Sequence, residues 1–87
     1  MKLMIVIIRD IDDPHVVQNL VDQGYRVTRM ASTGGFLKRG NVTLLIGVED
    51  DRVQTVTELL RQICRPEDST QHRATVFVVD MPHFEQI

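Results

Sequence analysis

Apolar positions along this chain fall into two alternating periods. Lys2 to Ile8 is a dense aliphatic run rich in β-branched residues and predicts a first strand. Asp12-Asp13-Pro14 marks a helix start, with Asp as N-cap and Pro at the first helical position, where its missing N–H costs nothing. Val17, Leu20 and Val21 supply the i, i+3, i+4 face of a short helix. Gly24 ends that helix, because glycine tolerates the left-handed backbone of a C′ position. Tyr25 to Ser32 predicts a second strand, and Asn41 to Val48 a third, with the glycine-rich loop Thr33 to Gly40 between them. Asp50 or Asp51 caps a second helix, whose apolar stripe is Val53, Val56, Leu60 and Ile63 with Leu59 beside it. Arg65-Pro66-Glu67-Asp68-Ser69 breaks this helix. Ala74 to Val79 predicts a fourth strand, and Pro82 to Ile87 is a tail.

The order βαββαβ is the split-βαβ, or ferredoxin-like, α+β arrangement, with two helices on one face of an antiparallel sheet. It occupies residues 1–87 as a single domain, without repeats or linkers. In a monomer the face away from the helices should be polar. Here it is not. The first strand carries Leu3, Ile5 and Ile7 on one side and Met4, Val6 and Ile8 on the other. The fourth sets Phe77 and Val79 opposite Val76 and Val78. Strands apolar on both faces are covered twice. With two helices available, the second cover is expected to be another subunit. The plainer alternative is a shifted strand register with a small second face.

Composition narrows the class. The chain has 87 residues, 43% hydrophobic and 5% aromatic, so its apolar content is aliphatic. A folded monomer of this mass buries only about 64% of its unfolded surface, which is marginal. That hydrophobic share with a net charge of −2 excludes a disordered tail. No apolar run approaches the ~20 residues of a membrane span. The opening lacks a small-residue cleavage site and is closed by Arg9, so it is expected to be a strand and not a signal peptide. The one cysteine, Cys64, cannot form an internal disulfide, which fits a reducing, cytoplasmic setting. The acidic balance argues against duplex nucleic acid as a partner.

Candidate chemistry concentrates between Arg26 and Gly47. Consecutive N–H groups of a glycine-rich loop can form an anion-binding nest. Gly35 and Gly40 have phosphate-loop spacing, but Asn41 and Val42 follow where that motif needs Lys and then Ser or Thr. The loop also joins two strands, so a Walker-type NTPase is excluded. On composition alone the loop reads as a hairpin connection with solvated charges. His15, His72 and His83 lack close ligand spacing and read as surface residues, and no metal site is expected. Cys64 reads as a small buried or half-buried residue, and Glu49-Asp50-Asp51 as helix capping aided by the helix dipole. No nucleophile–base pair or strand–turn–helix elbow suggests an enzyme. The third strand has no aromatic with which to stack single-stranded RNA.

The run T-x-x-A-S-T-G-G-F-L-x-x-G-N-x-T, Thr28 through Thr43, resembles the signature of the PII-like cyclic di-AMP receptor proteins. Met1-Lys2-Leu3, Asp50 to Val53, the Ala-Thr-Val-Phe-Val ending and Phe84-x-Gln86 also fit. The resemblance spans nearly the whole chain. It implies a PII-type ferredoxin-like fold and a homotrimer. It implies binding of a bacterial second messenger, cyclic di-AMP, between subunits, and signalling to an unknown downstream protein. The family's ligand contacts match Arg26, Thr28, Gly35, Phe36, Leu37, Asn41 and Gly47, with Phe84 and Gln86 near the C-terminus. Each suits its role. Arg26 offers a guanidinium fork to a phosphodiester, Thr28 a hydroxyl, and Asn41 paired donors and an acceptor for an adenine edge. Phe36 and Leu37 can cover a purine, Gly47 lets a base approach the strand, and N–H groups near Gly34 and Gly35 can meet a phosphate.

Two departures stand out. The family usually carries Asn where this chain has Gly24, just before Tyr25-Arg26. It also has a long loop before the last strand, where about ten residues, Arg65 to Ala74, stand here. A changed ligand, or an oligomeric structural role without one, is the alternative these departures raise.

Overall fold

β1 (Lys2–Arg9) lies inside a four-stranded antiparallel sheet of order β2-β3-β1-β4. The other strands are β2 (Arg26–Met30), β3 (Asn41–Val48) and β4 (Ala74–Asp80); the helices are α1 (Asp13–Asp22) and α2 (Val53–Ile63). This computed structural model describes residues 1–30, 40–64 and 73–87. The βαββαβ order and antiparallel pairing are those expected. Tyr25 lies outside β2, residues 31 and 32 fall outside the described residues, and so does the helix-breaking run 65–69.

One sheet face and both helices enclose the core. Met4, Val6 and Ile8 of β1, and Leu44, Ile46 and Val48 of β3, bury against Val16 and Leu20 of α1 and Val56 and Leu60 of α2. A fully buried aliphatic side chain contributes about 1.5–3 kcal/mol. Register follows from this burial: Met4 pairs with Ile46 and Val6 with Leu44, so slipping one residue would turn the whole set outward.

The helices hold two corrections. The α1 face is Val16, Val17 and Leu20; Val21 is 51% exposed. The helix starts at Asp13, making Pro14 its second residue, and its phase carries Val21 away from the sheet. The expected side-chain caps are absent too. Asp12 precedes α1 with helical backbone (φ −89°, ψ −18°) and makes no capping bond. A capping side chain reaches the free N–H groups from the extended region, which Asp12 does not occupy. Before α2 a 3₁₀ turn, Asp50–Arg52, intervenes, and Asp50 instead pairs with the N-terminal ammonium at 3.2 Å. The α2 stripe is as expected, with Val56 and Leu60 buried and Val53, Leu59 and Ile63 packed beside them.

Gly24 ends α1 as anticipated. Its φ is +90°, its N–H donates to Val21 O at 3.0 Å, and the Tyr25 N–H donates to Leu20 O at 3.0 Å. That pair of bonds is a Schellman motif. It turns the chain into β2, where the Arg29 Nε donates to both Asp13 carboxylate oxygens at 3.0 Å.

Candidate functional site

The face away from the helices is apolar, as the strand pattern implied. Alternation and register place Leu3, Ile5 and Ile7 of β1 beside Leu45 of β3 and beside Phe77 and Val79 of β4. Phe77 is 52% and Val79 46% exposed, and Met30 of β2 is 49% exposed. An antiparallel sheet in a monomer has no reason to present such a surface to water.

At one end of this face several of the singled-out residues meet. Arg26 and Thr28, two positions apart on β2, share a side and pair across to Gly47 and Leu45 of β3. Both are exposed. The C-terminal tail comes to the same end. Its first residue, Met81, donates its N–H to Met1 O at 3.1 Å. At the tail's far end, the Arg26 Nη1 donates to the Gln86 Oε1 at 2.7 Å. Phe84 lies between these anchors, 55% exposed.

Gly47 has room for a side chain. A Cβ built there would lie 3.4 Å from the Met81 Cε and 3.7 Å from the Met1 Cε. Both are ends of flexible side chains, and the φ of Gly47 is not positive. The neighbouring methionines gave no sign of this contact in the sequence, because residues 1, 47 and 81 meet only through strand pairing.

Asn41 stands apart. It lies on the same face, opposite Arg9 of β1. It is six residues from Gly47, about 20 Å along the strand. The fold therefore brings together Arg26, Thr28, Gly47 and Gln86, leaves Phe84 nearby on the tail, and sets Asn41 at the opposite end. Gly35, Phe36 and Leu37 lie outside the described residues.

Electrostatics at the two ends differ. At the β4 end of β1, Lys2 and Asp80 form an exposed ion pair on the helix side of the sheet, which raises the lysine pKa and holds the Asp80 carboxyl below its usual range. At the other end, Cys64 is buried. Burial, reinforced by the Asp12 charge and opposed by Arg73, pushes its thiol up to about 11. This thiol is inert near neutral pH. Among the described residues no three His, Cys, Asp or Glu side chains gather as metal ligands. No helix of the described residues is long and apolar enough to cross a membrane.

A family model described as cyclic-di-AMP receptor matches residues 1–73. Among solved structures, a functionally unknown protein from Pediococcus pentosaceus ATCC 25745 is 34% identical, with a TM-score of 0.81. The match covers 99% of this chain and 96% of that one, so the two are of nearly equal length. The family match ends before β4, so Phe84 and Gln86 rest on resemblance and on the geometry above.

Proposed function

The chain belongs to the cyclic-di-AMP receptor family, and on that premise we propose that it is a non-enzymatic, cytoplasmic signalling protein. It binds a nucleotide second messenger, cyclic di-AMP first, at the subunit interfaces of a homotrimer. The observation that carries this reading is the cluster of Arg26, Thr28 and Gly47 on an apolar sheet face that needs a partner.

The parts divide by chemistry. Arg26 presents its guanidinium to a phosphodiester, and Thr28 adds a hydroxyl within the same patch. Gly47 leaves the strand surface low enough for a purine to lie on it, with Phe84, Phe36 and Leu37 as covers. Asn41, about 20 Å from Gly47 along the strand, reads an adenine edge in a site completed by a second copy. The Gly35 region supplies backbone N–H groups. Ligand contacts then bias one conformation of the chain, and a downstream protein reads the difference.

A thermal-shift or calorimetric titration with a panel of nucleotides tests this. At a cyclic di-AMP concentration of 100 times Kd, stabilisation of about 2.7 kcal/mol per site is expected. Arg26→Ala and Asn41→Ala should each weaken binding by at least about 1.5 kcal/mol. A response to another nucleotide alone would reassign the ligand. Silence across the panel would leave a structural oligomer.

A further inference from the structure

We propose that Arg9 is a second phosphate-binding residue, supplied by the neighbouring subunit. Each bound ligand is then a dianion, one charge met by Arg26 of one chain and the other by Arg9 of the next. The proposal rests on the reading of the open sheet face as a cyclic di-AMP site between subunits.

Alternation and register set what this face carries. Among the described strand residues it holds two charges, Arg9 of β1 and Arg26 of β2, and no carboxylate. Asp80 of β4 lies on the helix side, paired with Lys2, and Glu85 of the tail is bonded to His83 at 3.0 Å. Covering the face with a copy of itself therefore buries guanidinium groups with no strand anion opposite them. A buried charge without a partner is strongly disfavoured. An anion has to enter with the second subunit. Two cations per chain call for two negative charges per chain. A ligand with two phosphodiesters, bound once per chain, supplies that number.

The Arg9 corner is also short of acceptors. Arg9 is half-buried and stands opposite Asn41 of β3. Among the described residues its side chain has no hydrogen bond or ion pair. Thr43, two residues along β3 on the same side, is 6% exposed, and its Oγ1 is closed off from water without a hydrogen-bond partner. A guanidinium has five N–H donors and accepts nothing, and an unbonded threonine hydroxyl is free to donate. Phosphodiester oxygens are acceptors, which is the group these side chains lack.

One chain cannot bring both cations to one ligand. Arg9 is aligned with Asn41 and Arg26 with Gly47, six residues apart on β3, so about 20 Å of strand separates them. Two phosphodiesters closed into one small ring do not span that distance. Arg26 and Arg9 at one ligand therefore belong to different copies, as Arg26 and Asn41 do.

The test is calorimetric titration with cyclic di-AMP of the full chain, Arg9→Gln, Arg9→Lys and Arg61→Gln, at about 50 mM and about 300 mM salt. Arg61, exposed on α2, controls for the loss of one positive charge away from the sheet face. Arg9→Gln should bind about tenfold or more weakly, and its affinity should fall less with salt. Arg9→Lys keeps the charge without the fork, so it should lose less affinity and keep the salt dependence of the full chain. Arg61→Gln should match the full chain, and light scattering should give Arg9→Gln the mass of the unaltered assembly. Four results would each overturn Arg9 as a ligand contact while leaving the nucleotide reading intact: undiminished affinity in Arg9→Gln, an equal loss in Arg61→Gln, an unchanged salt dependence in Arg9→Gln, or a fall in mass accompanying its loss of affinity. No binding by the full chain would remove both.

Discussion

Gly47 is a glycine that its own backbone does not require. Its φ is ordinary, and an added Cβ meets only the mobile ends of Met81 and Met1. Alanine in a strand interior is favoured over glycine by roughly 0.5–1 kcal/mol. Gly47→Ala should therefore melt at the same temperature as the parent or slightly higher. If a base lies against this strand, the same change should weaken cyclic di-AMP binding by about tenfold. Paired melting and calorimetry separate the two effects, and equal affinity would take Gly47 out of the site. Cys64 shows the opposite relation, a residue explained by packing alone. Its folded pKa of about 11 stands above the ordinary 9.0, so the neutral thiol is favoured by folding. The associated stability is complete below pH 9 and is lost as pH rises through about 11. Ellman's reagent at pH 8 should label the native chain slowly and the urea-unfolded chain at once. Rapid native labelling would contradict the burial. Asp12, by contrast, was legible as a helix-start residue from its neighbours, but its backbone angles denied it the cap.

At the scale of elements, the α1–β2 junction leads the chain into the proposed site, which begins at Arg26. Gly24 closes the Schellman motif at φ +90° with open space where a Cβ would stand. Strain, and not collision, is thus the cost of any side chain there. Gly24→Ala should lose roughly 1 kcal/mol, measured by urea unfolding. Gly24→Asn should lose less, because asparagine enters the left-handed region more readily. It would also restore the polar group that the resembling family carries before its aromatic-arginine pair. Tighter cyclic di-AMP binding by Gly24→Asn is the expected outcome. Unchanged affinity would mean that this departure has no bearing on the ligand. Apart from the end of β2, where residues 31 and 32 fall outside the described residues, the strands were legible to within a residue, because their β-branched runs and period-two burial are local signals. The α1 face was not. Val16, Val17 and Val21 are equivalent in composition, and only the angle at which the helix meets the sheet decides that Val21 turns outward.

For the whole molecule, the apolar second face is the feature that demands an account. Phe77, on edge strand β4, is 52% exposed, so a single chain loses little by changing it. Phe77→Asp should leave far-UV circular dichroism unchanged while reducing the mass seen by light scattering toward that of one chain. Cyclic di-AMP affinity should fall with it if the site is completed between subunits. An unaltered mass would place the interface elsewhere. By itself the sequence determined the βαββαβ order, the two-faced strands and the family signature, because hydrophobic period, turn residues and motif spacing are all written in neighbouring positions. Only the tertiary structure decided that Arg26, Thr28, Gly47 and Gln86 share one end of a face while Asn41 lies at the other. That outcome depends on strand register and on the path of the tail across the sheet. Both join residues far apart in the chain, and neither leaves a mark on local pattern.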